Sequence, residues 1–311
     1  MSFTGTIKDE VTHLEGNKLE YISELSCILR NNAKITDDII ITVENNSVAR
    51  RIFKLIKSIY DVIPVITVRK RYNFNNNLSY ILKIKAKKEI ILKDLSIVIN
   101  NEYQNIPKNY IINDEECLRA YLRGLFIATG SINDPKTSRY HLEFIVDNLE
   151  YANFISEQLN KFYLNSKVIK REKNYMVYIK EAEKISDFLR VINAYHAVMY
   201  YEDIRIYRDH KNMTNRLNNC EQANIDKIFL TASKQLKDIE KLKQYDLLDV
   251  IDQKLQEVVE YRQKYPESSL QELSEIMSKE LGYKITKSGL NHRFRKIKEM
   301  VSHLEDKSTD N

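Results

Sequence analysis

The sequence has no tryptophan and only 3 cysteines, 4 prolines and 6 glycines among 311 residues. Cys27, Cys117 and Cys220 lie far apart and form no Cys-x-x-Cys pair, which excludes a disulfide framework and a cysteine-rich zinc site. Cys27 and Cys117 fall inside apolar helical patterns and read as core thiols. Scarce Gly and Pro exclude long flexible linkers. The histidines His13, His141, His196, His210, His292 and His303 show no metal-ligand spacing. His141-Leu-Glu143 has the deaminase His-x-Glu spacing, but no Pro-Cys-x-x-Cys follows, and it reads as strand alternation. No phosphate-loop glycine pattern or nucleophile elbow occurs, so no cofactor or metal is expected. The opening Met-Ser-Phe-Thr-Gly-Thr-Ile-Lys-Asp-Glu is too polar for a secretion signal, and no apolar run reaches the roughly 18 residues a membrane helix needs. The expectation is a cytoplasmic, reduced chain without membrane association.

What is present is ordinary globular material, 43% hydrophobic and 30% charged, with length for two or three domains. The 20 tyrosines carry no functional signal of their own. The net charge of +5 is mild but unevenly spread. Between Arg50 and Lys93, basic residues far outnumber Asp61 and Glu89. Such a run forms either a surface that attracts polyanions or a solvated lysine-rich face. Arg50, Arg51, Arg69, Lys70, Arg71, Lys83 and Lys85 are its candidate nucleic-acid contacts.

Cys117-Leu-Arg-Ala-Tyr-Leu-Arg-Gly-Leu-Phe-Ile-Ala-Thr-Gly-Ser-Ile132 reads as a helix ending in small residues. Glu20 to Ile35 is a weaker copy. Each is followed by the same series of elements. In the first series come a strand (38–44), a helix (47–60) with Val48, Ile52, Leu55, Ile56 and Ile59 on one face, strands at 65–69 and 80–85, and a lysine-rich helical segment closing near Leu95. In the second come a strand (140–146), a helix (150–163), strands at 167–171 and 175–180, and a helix at 185–192. Ile35 matches Ile132, and Glu44-Asn45 matches Asp147-Asn148. Length differences fall in loops, where they are tolerated. The expected class is α+β: a duplicated α-β-α-β-β-α pseudo-dimer over residues 1–217, with repeats at about 18–98 and 114–206, then an all-α domain over 222–311.

This plan resembles the LAGLIDADG homing endonucleases. In that family the paired helices lie on a pseudo-two-fold axis, small residues let their backbones approach, an acidic residue at each tip holds the catalytic metal, and the sheets grip duplex DNA. Here the windows are Leu25 to Ala33 and Leu122 to Gly130. The acidic positions fall at Asn32 and Thr129, which supply no negative charge for a hard divalent ion. Paired carboxylates are what two-metal cleavage requires. The expectation is therefore a binding scaffold with no catalytic residues, with Asp134 forming the Asn133-Asp134-Pro135 turn. An active homing endonuclease or maturase is the alternative.

The last third reads entirely helical. Ile225, Ile228, Phe229, Ala232, Leu236, Ile239 and Leu242 predict one amphipathic helix that packs within the chain rather than in a coiled-coil dimer. A second helix carries Leu255, Val258, Val259 and Arg262 on one side and ends at Pro266. A third begins at Ser269 with Glu272 at capping-box spacing, buries Leu270, Leu273, Ile276 and Met277, and ends at Gly282. The fourth, from Thr286, turns Leu290, Phe294 and Ile297 inward and is basic elsewhere. Helix, glycine turn and basic helix form a helix-turn-helix signature over about 269–302. Its candidate DNA contacts are Ser269, Lys287, Ser288, Asn291, His292, Arg293, Arg295, Lys296 and Lys298. Asn291 suits adenine and Arg293 or Arg295 guanine, while Lys287 and Ser288 suit phosphates.

A degenerate LAGLIDADG scaffold fused to a helix-turn-helix resembles the WhiA family. The match rests on Ser47-Val-Ala-Arg-Arg51, Arg119-Ala-Tyr-Leu-Arg-Gly124, Gly130-Ser-Ile-Asn-Asp-Pro135, Asn215-Arg-Leu-Asn-Asn-Cys220 and Lys287-Ser-Gly-Leu-Asn-His-Arg-Phe-Arg-Lys296, among others. Asn31-Asn32-Ala33 departs from the small residues expected at the first helix tip. The resemblance implies a double-stranded DNA binder without nuclease activity, nucleoid-associated. It implies roles in transcription regulation, cell division, chromosome segregation or sporulation, with transcription or cell-division proteins as further partners. A scaffold that mainly binds protein is a third reading.

Overall fold

The computed structural model describes residues 2–70, 78–137 and 139–309. The chain opens with α1 (Phe3–Val11), α2 (Lys18–Asn32), β1 (Ala33–Ile35), β2 (Ile39–Val43), α3 (Asn46–Tyr60), β3 (Val65–Lys70), β4 (Leu78–Ile84) and α4 (Lys88–Asp94). Two short strands, β5 (Val98–Ile99) and β6 (Glu102–Tyr103), separate this from its copy. The copy is α5 (Glu115–Thr129), β7 (Gly130–Ile132), β8 (Leu142–Val146), α6 (Leu149–Asn160), β9 (Lys167–Arg171), β10 (Asn174–Ile179) and α7 (Ala182–Val191). The rest is helical: α8 (Tyr195–Gln244), α9 (Gln253–Lys264), α10 (Leu270–Leu281) and α11 (Lys287–Thr309).

The duplication is exact in topology. The two four-stranded antiparallel sheets have the orders β1-β2-β4-β3 and β7-β8-β10-β9. Local chemistry repeats with it. Asn45 caps α3 by accepting from the Ser47 and Val48 N–H groups, and its counterpart Asn148 caps α6 through Glu150 and Tyr151. Three residues after each central helix, expected to continue it, instead form strands β1 and β7 and complete each sheet. Three residues are too few for a strand period to show in sequence.

Contacts divide the chain into two compact units, 1–209 and 210–311. The first has one apolar core, in which Leu25, Ile28, Leu122, Leu125 and Phe126 of the central helices meet Ile41, Leu82, Phe144 and Val177 of the sheets. The central pair is close. A Cβ on Gly124 would stand 2.5 Å from the Glu24 carbonyl oxygen and 3.1 Å from the Cys27 Cβ. The substituted tip at Asn31-Asn32-Ala33 leaves that approach intact, because it occurs a full two turns earlier.

Helix α1 had no reading in the sequence. It buries Ile7 and Val11, and its Thr4 hydroxyl donates to the Ile132 carbonyl at 3.0 Å. Glu10 accepts from the His196 and Ala197 N–H groups, at 2.7 and 3.0 Å, and so caps the start of α8. That helix runs 50 residues, far longer than the five turns expected. Of its apolar stripe, Ala232, Ile239 and Leu242 are buried, whereas Ile225 and Phe229 are exposed.

The second unit has its own core: Leu242, Leu255, Val258, Leu273, Met277, Leu290, Phe294 and Ile297. The Ser269–Glu272 box closes the start of α10, and Gly282, at φ +75°, ends it in the left-handed region that favours glycine.

Candidate nucleic-acid interface

Helix α11 is built so that one face must be wet. Leu290, Phe294, Ile297 and Val301 recur at helical spacing and are buried. At 3.6 residues per turn, Ser288, Asn291, His292 and Arg295 then fall on the opposite side. All four are exposed, as are Lys287, Lys296 and Lys298. Thr286 accepts the Gly289 N–H at 3.1 Å and caps the helix, leaving the Lys287 and Ser288 N–H groups for an outside acceptor. Arg295 donates to the His292 Nδ1 at 3.1 Å. This pairing holds two outward side chains together as a donor surface.

Arg293 is placed differently from its neighbours. It is half-buried beside α9, with its guanidinium 3.5 Å from the Lys254 carbonyl oxygen. Its position one step round the helix from the outward stripe explains this, and Arg295 takes over the guanine-reading candidacy. Ser269 is also committed locally, since its hydroxyl accepts the Glu272 N–H at 3.1 Å.

The basic run of the first unit does not form one patch. Arg51 is inside the protein, 2% exposed. Its Nε and Nη2 donate to the Glu24 carboxylate at 2.7 and 2.8 Å, and Arg123 from the other central helix donates to the same carboxylate at 2.9 Å. Position 51 lies on the inner face of α3, one residue before Ile52, where only a paired cation is tolerated. It is therefore a structural arginine, not a DNA contact. Arg50, one step round the helix, is exposed.

Strand register sorts the others. Cross-strand partners share a face. Lys34, Ile40, Lys83 and Val65 are in register across the first sheet, on the face opposite Ile41 and Leu82 of the core. Arg69 projects from this open face, whereas Lys70 points to the helix side of β3. Lys83 is paired with Asp38 at 2.8 Å, and Lys85 is exposed just past β4. Arg71 lies outside the described residues. The second sheet adds Lys167 and Arg171 on its open face, beside Tyr178 and Glu143. Neither was singled out in the sequence, although Arg171 stands in β9 where Arg69 stands in β3, so the repeat itself carried the signal.

Between the tips of the central helices is a hollow of about 380 Å³, lined by Arg30, Asn31, Thr129, Asp147 and Tyr151 among others. Asn31, rather than Asn32, faces it, and donates to the Tyr151 hydroxyl at 3.1 Å. Thr129 uses its hydroxyl on the Leu125 carbonyl at 3.3 Å. Asp147 is the one carboxylate in this lining, and the Arg30 guanidinium lines the same space. A single carboxylate beside a fixed cation does not fit a divalent metal, which wants several anionic oxygens. Burial pushes the Cys27 thiol beneath it up to about 12, and raises the Tyr121 and Tyr151 hydroxyls well above their usual range. None of the three exchanges a proton near neutral pH. Asp134 forms its expected turn by accepting the Lys136 N–H at 2.9 Å, and His141 lies 3.1 Å from Glu143 on one sheet face.

Three family models cover most of the chain: the WhiA N-terminal LAGLIDADG-like domain over 20–98, the WhiA LAGLIDADG-like domain over 118–211 and the WhiA C-terminal HTH domain over 214–301. Proteins named "Probable cell division protein WhiA" from Bacillus cereus (strain B4264) and Bacillus mycoides (strain KBAB4) are each 42% identical, over 98% of this chain and 97% of theirs. The chain belongs to the WhiA family. The crystal structure of full-length DUF199/WhiA from Thermatoga maritima has the same fold, with a TM-score of 0.56 at 21% identity over 97% of this chain and 99% of that one. A WhiA-family chain thus combines two LAGLIDADG-like halves with a helix-turn-helix region, and its relatives are cell division proteins by name. Among the described residues no helix is long and apolar enough to cross a membrane.

Proposed function

We propose that this protein is a sequence-preferring binder of double-stranded DNA that regulates transcription or organises the nucleoid in support of cell division and chromosome segregation. The observation that carries the reading is α11. A capped helix turns Ser288, Asn291, His292 and Arg295 outward together, flanked by Lys287, Lys296 and Lys298. That set supplies base-edge donors and acceptors in the middle and phosphate contacts at the margins. The open sheet faces, with Lys34, Arg69, Lys167 and Arg171, add sequence-independent contact. The protein has no nuclease activity in this reading, because the hollow at the helix tips offers Asn31, Thr129 and one carboxylate where cleavage needs paired acids.

Salt titration of binding tests this. For six to ten phosphate contacts, affinity falls about 10³–10⁵-fold between 50 and 200 mM salt. A flat salt response overturns the reading. Incubation of the full chain with supercoiled plasmid and Mg²⁺ or Mn²⁺ leaves it intact; nicking would restore the endonuclease alternative.

One observation favours a second role for the scaffold. The apolar residues Val65 and Ile169 are 53% and 42% exposed on the open faces, among the basic ones. Such a mixture suits a protein partner from the transcription or division machinery. Nucleoid localisation that survives replacement of the α11 outward residues would assign the anchoring to the scaffold.

A further inference from the structure

Within the second unit, a groove of about 460 Å³ lies between the latter half of α8 and the first turns of α10 and α11. The charged residues in its lining are Lys227, Arg262 and Lys287, and among the described residues no carboxylate lines it. Three cations converging without an anion is an unbalanced arrangement. The most telling of them is Arg262. It is 1% exposed, yet it makes no ion pair among the described residues. Its Nη1 donates to the Ser268 carbonyl at 2.7 Å and lies 3.3 Å from that of Tyr265, and its plane lies over the Phe294 ring at 5.5 Å. Its Nε is buried with no partner. A buried guanidinium is ordinarily matched by a carboxylate, as Arg51 is by Glu24, because an uncompensated buried charge is costly.

Helix α10 begins at the same place. Ser269 takes the Glu272 N–H and Glu272 takes the Ser269 N–H, which leaves the Leu270 and Gln271 N–H groups without an acceptor among the described residues. Ser269, Leu270 and Gln271 all line the groove. The partial positive charge of a twelve-residue helix is therefore added to three full ones.

We propose that this groove seats a phosphate group, held by the free N–H groups at the start of α10, by Lys227 from α8 and by Lys287, with Arg262 supplying the buried charge behind. The source that accords with the function proposed above, on which this assignment rests, is a phosphodiester of the DNA backbone. Lys287 ties the groove to the outward face of α11, so a duplex read by that helix has a backbone phosphate within reach. A free phosphorylated small molecule offers the same chemistry.

Lys227 is exposed on α8, so its replacement spares the core. The test compares the full chain with Lys227→Ala and Lys227→Glu, using Lys237→Ala, exposed on the same helix outside the groove, as the charge control. If the seat takes a DNA phosphate, Lys227→Ala weakens specific and non-specific duplexes by the same factor, and the log–log salt slope loses about 0.9 relative to wild type and control. Ethylation of one backbone phosphate then interferes with wild-type binding and not with the variant's. If the seat takes a free phosphate, the slope is unchanged, while saturable binding of inorganic phosphate, followed by calorimetry, disappears in Lys227→Glu. Unchanged slope together with identical phosphate titrations in wild type and variant overturns the proposal. Should the wild-type chain not bind duplex at all, the DNA reading fails by itself, and the phosphate titration still decides the groove.

Discussion

The two units use the same residue type in opposite ways. In the duplicated unit Arg51 and Arg123 turn inward and converge on Glu24, sealing the close helix pair at 2% exposure or less. In the helical unit Lys287, Arg295, Lys296 and Lys298 of α11 turn outward, and the one buried arginine, Arg262, meets no acid among the described residues. Counting basic residues along the sequence treats these alike. Burial separates them: a cation buried against a carboxylate holds structure, whereas an exposed one, even with a surface ion pair such as Arg295–Glu299 at 3.7 Å, is available to an anion from outside.

The largest effect that would break this contrast is at the helix pair. Gly124→Leu forces a side chain against the Glu24 backbone and is expected to cost more than about 4 kcal/mol. Hydrogen exchange should show protection lost throughout 3–192 and retained over 255–301, since the second unit has its own core. Loss of both would show that the units do not fold separately.

Next comes the ionic triad. Glu24→Ala leaves two arginines buried without a carboxylate and should destabilise the first unit by about 3–5 kcal/mol in urea unfolding. Replacing all three together, Glu24→Leu with Arg51→Met and Arg123→Met, should recover most of that loss. A triple variant as unstable as the single one would mean that the triad does more than satisfy its own charges.

Smaller differences sharpen the sorting of the basic run. Arg69→Ala should reduce affinity for every duplex alike and lower the salt slope by about one, whereas Lys70→Ala on the helix side of β3 should leave the slope alone. A separate test concerns Lys8, whose amine burial lowers to about 8 from 10.5. The uncharged form is favoured in the folded state, so stability is lower below pH 8 and rises as pH climbs through 8 to 10.5. Lys8→Met should abolish that rise in thermal unfolding followed against pH.

Much of this was legible in the sequence, for identifiable reasons. The duplicated unit announced itself because two stretches shared an element order and because Glu44-Asn45 recurs as Asp147-Asn148, a match the structure explains by the helix caps of Asn45 and Asn148. The helix-turn-helix was legible because the Ser269–Glu272 box, Gly282 and the Leu290–Phe294–Ile297 stripe agree on one geometry. What stayed hidden depended on distant partners. Arg51 stands at core spacing, three residues after Val48 and four before Leu55, but its pairing shows only when Glu24 and Arg123 are brought beside it. Helix α1 is held by contacts to Ile132 and the start of α8, more than a hundred residues away. The groove at Arg262 joins four helices, and only the fold shows that its third cation has no acid.

In the proposed function α11 reads sequence, while the duplicated scaffold grips the backbone alone. Footprinting of the full chain against its Asn291→Ala/Arg295→Ala variant, with Arg293→Ala alongside, tests it most directly. The double variant is expected to lose its site-specific footprint, about 1–3 kcal/mol of discrimination per lost base contact, yet to keep salt-sensitive binding to unrelated duplexes, and Arg293→Ala to retain the footprint. A footprint unchanged in the double variant would contradict it.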